Sequence, residues 1–80
     1  MRDFFVKKYW EEENVLFYVH FHNGATIRQI EKTSEGTVFL SSENKQQGES
    51  ILYDQSLDDL DLNESDFITE VEFNTIWNKQ

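Results

Sequence analysis

Hydrophobic and β-branched residues crowd into Val15-Leu16-Phe17-Tyr18-Val19-His20-Phe21-His22, a run whose length and composition predict a β-strand. Asn23-Gly24 follows directly and supplies two residues that tolerate positive φ, the signature of a two-residue type I′ hairpin turn. Upstream, residues 4–10 read as a first strand, with Phe4, Val6 and Trp10 on one side and Lys7 on the other. Glu11-Glu12-Glu13-Asn14 forms the charged turn between the two strands.

The Asn-Gly turn implies a register in which Phe21 lies opposite Thr26, Val19 opposite Arg28, and Phe17 opposite Ile30. Ser34-Glu35-Gly36 predicts a second hairpin, with Gly36 in the left-handed position of a three-residue loop. That loop sets Ile30 opposite Leu40 and Lys32 opposite Val38. Period-two geometry then gathers Phe17, Val19, Phe21, Ile30, Val38 and Leu40 on a core face, with Arg28 among them. Leu16, Tyr18, His20, Ile27, Glu31 and Phe39 fall on the opposite face. Ile27 and Ile30 share a face only if a bulge intervenes.

Residues 43–50 read as a polar loop leading to the short apolar run Ile51-Leu52-Tyr53. Ser56, with Asp59 three residues on, has the spacing that caps a brief helical turn. Thr69 and Glu72 carry the same capping-box spacing, and Ile68 and Phe73 sit where a hydrophobic staple belongs. Phe73, Ile76 and Trp77 then make one apolar stripe of a helix over residues 70–78. The expected fold is α+β: a four-stranded antiparallel meander packed by one C-terminal helix, with a short helical turn before it. Residues 1–80 form a single small domain.

The order and spacing of several short motifs resemble a family of small bacterial domains of unknown function. The likeness covers roughly residues 4–77. It rests on Val15-Leu16-Phe17-Tyr18, Arg28-Gln29-Ile30-Glu31, the Ser-Glu-Gly turn at 34–36, Gly48-Glu49 before Ile51-Leu52, and Ile68, Phe73 and Trp77. The chain departs from it in lacking the prolines usual near the short helical turn. The resemblance implies the fold just described and brings no activity.

Composition changes the picture in one respect. The formal net charge is −9, yet residues 1–34 balance five bases against five acids, so the whole excess lies in residues 35–80. An acidic surface repels phosphate backbones, which disfavours nucleic acid despite the local bases Lys7, Lys8, Arg28 and Lys32. With 15% aromatic residues the chain is too rich in rings for a disordered acidic tail. It has no Cys, so disulfides and thiolate metal sites are excluded. Its N-terminal apolar run is too short for a signal peptide or a membrane span, and a cytoplasmic, membrane-free protein is expected.

Candidate chemistry is sparse. Asp59, Asp61, Asn63 and Glu70 take positions 1, 3, 5 and 12 of an EF-hand spacing, but Glu64 stands where the sharp turn requires Gly. His20 and His22 alternate on one strand and point the same way, with Glu31 within reach on the neighbouring strand. No Gly-x-Ser-x-Gly elbow and no Ser placed beside a His supports nucleophilic catalysis. A domain of this size also leaves little room for a substrate cavity of the usual ~300–1,000 Å³. Arg28 is expected to bridge to an acid of the final helix such as Glu72.

Two surfaces suit a partner: the acidic stretch 54–72, and the face bearing Leu16, Tyr18, His20, Ile27 and Phe39 unless loop 43–55 covers it with Ile51 and Tyr53. The expected function is non-catalytic protein interaction, without a cofactor. In its concrete form, a small inhibitor or immunity-type protein from a bacterium or phage neutralises a basic partner such as a nuclease. Asp58, Asp59, Asp61, Glu64 and Asp66 would supply the charge, and Tyr18 and Phe39 the apolar anchors. The same sheet face would also admit a homodimer. The alternative is a metal-binding regulatory domain using the acidic 59–70 loop or the His20/His22 pair.

Overall fold

A computed structural model describes residues 3–48, 50–53 and 62–79. Its strands are β1 (Asp3–Trp10), β2 (Val15–His22), β3 (Ala25–Thr33), β4 (Gly36–Ser41), β5 (Gln46–Gln47), β6 (Ser50–Ile51) and β7 (Phe67–Ile68), followed by helix α1 (Glu70–Trp77). The expected α+β class holds, with mostly antiparallel sheet and one C-terminal helix. The main sheet has five strands rather than four, in the order β4-β3-β2-β1-β7. The addition is β7, which pairs its Ile68 with Phe5 and its Phe67 with Val6 on the outer edge of β1. The expected helical turn at Ser56 lies outside the described residues, but a 3₁₀ turn spans Glu64–Asp66.

The first hairpin turns as the sequence predicts. Asn23 and Gly24 hold φ of 52° and 88°, and Phe21 faces Thr26. The register then slips by one. His20 faces Arg28, Val19 faces Gln29 and Tyr18 faces Ile30, because β3 bulges beside His20 and Phe21. The second loop is also one residue shorter than expected. Thr33 pairs with Gly36 across Ser34-Glu35, so Ile30 faces Phe39 and Lys32 faces Thr37.

Because side chains alternate, the first slip exchanges the faces of β3 relative to β2, and the shorter second loop returns β4 to the faces expected for it. Ile30 therefore leaves the Phe17/Val19/Phe21 face and joins Tyr18, and Gln29 takes its place. Both faces are buried. On one, Phe5, Tyr18, Ile30 and Phe73 pack with Leu16, Phe39, Ile68, Ile76 and Trp77. On the other, Val6, Val19 and Phe21 pack with Phe4, Phe17, Tyr53 and Leu62.

Helix α1 covers the first of these faces. Thr69 is its N-cap, its hydroxyl accepting from the Glu72 N–H at 3.1 Å, which satisfies one of the donors a helix leaves open at its start. Glu70 and Glu72 in the first turn complement the positive helix end. Phe73 is fully buried, and Trp77 stands edge-on to Phe39 at 5.6 Å.

The loop expected over that face lies on the other one. Gln29 holds it there: its amide oxygen accepts from the Tyr53 N–H at 2.8 Å, and its amide nitrogen donates to the Ile51 carbonyl at 3.3 Å. Tyr53 meets Phe21 edge-on at 6.2 Å and Leu52 is buried, whereas Ile51 stays exposed.

Candidate interaction groove

The two apolar anchors expected on an open face are core residues. Tyr18 is 6% exposed, and Phe39 is half-buried against Trp77, because α1 packs on the face they share. Burial, with Glu72 nearby, also raises the Tyr18 phenol above its ordinary pKa. The same helix covers the face expected to admit a homodimer.

Of the five acids, Asp58, Asp59 and Asp61 lie outside the described residues, and with Asp59 and Asp61 go the first two ligand positions of the EF-hand spacing. Glu64 is exposed in the first turn of the 3₁₀ helix. Asp66 is engaged locally: its carboxylate accepts from the Asn63 N–H at 2.9 Å and sits 3.6 Å from the Lys8 ammonium.

On the face away from α1, the β1–β2 end of the sheet holds a groove of about 610 Å³. It falls within the size range of ligand sites, contrary to the expectation from chain length. Alternation along the strands aims Val6, Lys8 and Trp10 of β1 and Phe17 and Val19 of β2 at this side, and the register adds Gln29. Tyr53 closes one wall, while Tyr9, Glu11 and Glu12 form the rim where the chain turns.

Trp10 and Phe17 lean on each other at 5.9 Å, yet Trp10 remains 49% exposed and Tyr9 51%. Half-exposed rings beside an apolar trough are a frequent mark of binding surfaces. The turn holding the rim is closed by an Asn14 N–H to Glu11 carbonyl bond of 3.2 Å and by the Tyr9 hydroxyl bonded to the Asn14 side chain. Asn14 adopts φ of 54°, a left-handed position that Asn tolerates. The sequence does signal this rim, as two aromatic residues followed by three acids. What it conceals is the far wall, Tyr53, contributed from a distant segment.

His20 and His22 point the same way as expected, but they meet Asp3 rather than Glu31. His22 Nδ1 lies 2.6 Å from the Asp3 carboxylate and His20 Nε2 lies 3.7 Å from it. Glu31 faces the other side of the sheet, accepting from Gln29 at 2.8 Å and from the Ser50 hydroxyl at 3.1 Å. His20 Nδ1 accepts the Arg28 Nε–H at 2.9 Å, so the neutral ring carries its proton on Nε2 and has no lone pair there for a metal. Among the described residues no three His, Asp or Glu side chains are arranged to hold a metal ion.

Arg28 does not pair with Glu72. Its guanidinium lies over the rings of Phe73 and Trp77, at 4.8 and 5.3 Å, and ties the helix to the sheet by cation–π contact.

This cluster makes stability depend on acid. Burial first, then the Arg28 charge, lowers the His20 pKa below its ordinary 6.5, since a second cation there loses the Arg28 bond. The unfolded chain therefore takes up a proton before the folded one, and stability declines as pH falls below 6.5 until the folded pKa is passed. Asp3, held low by its bond to His22, adds a loss that begins below 3.8. Urea midpoints measured from about pH 7 to 5 should fall, and a His20→Gln variant should flatten that slope. An unchanged slope in the variant would assign the acid sensitivity elsewhere.

No helix among the described residues is long and apolar enough to cross a membrane. Comparison with known proteins leaves the groove as the basis for reading function: no protein-family model matches the chain, and no curated protein or solved structure matches it.

Proposed function

We propose that this chain is a non-catalytic interaction domain that binds a basic protein, in its concrete form an inhibitor that occupies the cationic cleft of an enzyme such as a nuclease. The observation that carries this reading is the groove at the β1–β2 end, where half-exposed Trp10 and Tyr9 stand beside Glu11 and Glu12. Aromatic anchors supply contact area, and carboxylates at the rim select a positive partner and speed its approach. The net charge of −9 acts in the same direction over longer range. The likeness to small bacterial domains of unknown function is compatible with this role and adds no activity to it.

The interaction surface in this reading differs from the sequence expectation. Trp10, with Tyr9 beside it at the rim, replaces Tyr18 and Phe39 as the anchor, and the rim acids of the β1–β2 turn join the acids of the C-terminal part.

A panel of purified basic and acidic proteins, including basic nucleases, tests the proposal by affinity measurement at low and high salt. Basic members should bind, and binding should weaken severalfold or more as the screening length shrinks from about 10 Å at 0.1 M to about 3 Å at 1 M. Trp10→Ala and a combined Glu11→Gln, Glu12→Gln variant should each weaken it. Equal binding of acidic and basic proteins, or affinity indifferent to salt, would overturn the reading.

A further inference from the structure

We infer that the groove recognises an arginine side chain presented by an extended segment of the partner; this rests on the interaction reading above and names its recognition element. Three features of the groove bear on the occupant. Its floor is apolar and aromatic (Val6, Val19, Phe17, Trp10), its accessible rim carries two carboxylates (Glu11, Glu12), and its one ammonium, Lys8, lies 3.6 Å from Asp66.

A purely apolar side chain would leave the rim charges without a role and would bring them toward a desolvated contact. A compact ammonium would meet the carboxylates but gain less from the rings. A guanidinium does both. Its flat face stacks on an aromatic ring while its N–H fork meets a carboxylate, and its three-carbon stem covers apolar floor.

The molecule already uses the aromatic half of this arrangement on its other face, where the Arg28 guanidinium lies over Phe73 and Trp77 at 4.8 and 5.3 Å. The exposed Trp10 with its neighbour Phe17, 5.9 Å away and tilted by 58°, offers an incoming guanidinium a comparable pair of rings. At about 610 Å³ the groove is larger than one side chain fills, which leaves space for an apolar residue beside the arginine over Val19 and Tyr53.

The probe is a blocked Leu-Arg-Leu peptide, compared with its citrulline counterpart, which keeps the shape and loses the charge. Both are titrated into the ¹⁵N-labelled full chain. The arginine peptide should shift the Trp10 indole N–H and the amides of Tyr9, Glu11 and Glu12, while the Trp77 indole on the opposite face stays in place. Citrulline should bind about tenfold more weakly, as expected when a cation–π contact and a charge-assisted bond are lost together.

Trp10→Ala and Glu12→Gln, both at exposed positions, should reduce the arginine response and leave the spectrum of the free protein dispersed. Equal binding of the two peptides would overturn the inference, because the groove would then be reading shape alone. Shifts scattered over acidic residues without Trp10 would overturn it as well. A silent arginine peptide alongside salt-sensitive binding of basic proteins would reject the arginine site and leave the broader reading standing. Failure of both assays would reject both.

Discussion

Phe73→Ala should cost the domain about 3–5 kcal/mol, the range seen when a buried aromatic is truncated and its cavity stays open. Phe73 is 0% exposed and is the hub of the helix-covered core: it meets Phe5 at 5.5 Å, His20 at 5.8 Å and Trp77 at 6.1 Å, and carries the Arg28 guanidinium on its ring. Beside it only Ile76 and Trp77 of the eight-residue helix pack against this core. A domain of this length has a total stability of about 4–12 kcal/mol, so the loss removes about a quarter of it at least and all of it at worst. Urea unfolding followed by fluorescence measures the change, and Phe73→Leu should retain much of the stability. A loss under about 1 kcal/mol would mean that the helix is held by other contacts.

The second large effect is expected at Gln29, a polar side chain only 2% exposed. Its amide serves Glu31 at 2.8 Å, the Ile51 carbonyl at 3.3 Å and the Tyr53 N–H at 2.8 Å. Gln29→Leu keeps the volume similar but strands two backbone groups and one carboxylate, for a total of about 2–4 kcal/mol. The damage should be local. Hydrogen exchange at Tyr53 and at Leu52, whose N–H donates to the Lys45 carbonyl at 2.7 Å, should speed up well before that of β2. Because Tyr53 walls the groove, ligand binding there should weaken too. Unchanged protection at Tyr53 would show that Leu52 and Tyr53 hold the segment by apolar packing alone.

Much of the local structure was legible in the residues. Asn23-Gly24 marked its turn, since few other pairs accept two positive φ values in succession. Thr69 marked the start of α1 through its hydroxyl, and Phe73, Ile76 and Trp77 marked its buried stripe. Harder to see was β7. Two residues are too few to carry an alternation, and they form a strand only because the edge of β1 is there to pair with them.

The groove was half legible. Tyr9-Trp10-Glu11-Glu12-Glu13 announces aromatic residues beside charge, whereas Tyr53 joins them through a Gln29 bond that spans 24 positions of sequence. Tyr18 and Phe39 looked like anchors because they alternate with Phe17, Val19 and Leu40, and a sheet buried on both faces shows apolar residues on both.

Where the chain turns, which segments extend and where the helix begins can all be read from the residues, because these depend on φ preferences, side-chain caps and periodicity within a few residues. Which face packs against which neighbour depends on the folded chain as a whole. One bulge beside Ile27 moves Ile30 under the helix and Gln29 to the opposite side, and one residue fewer in the second loop keeps Phe39 and Leu40 on their expected faces. Register accumulates along the strands, and with a period of two a single residue reverses it. Helix α1 lies on the face that Tyr18 and Phe39 share and buries them, while Trp10 on the other face stays half-exposed beside the groove.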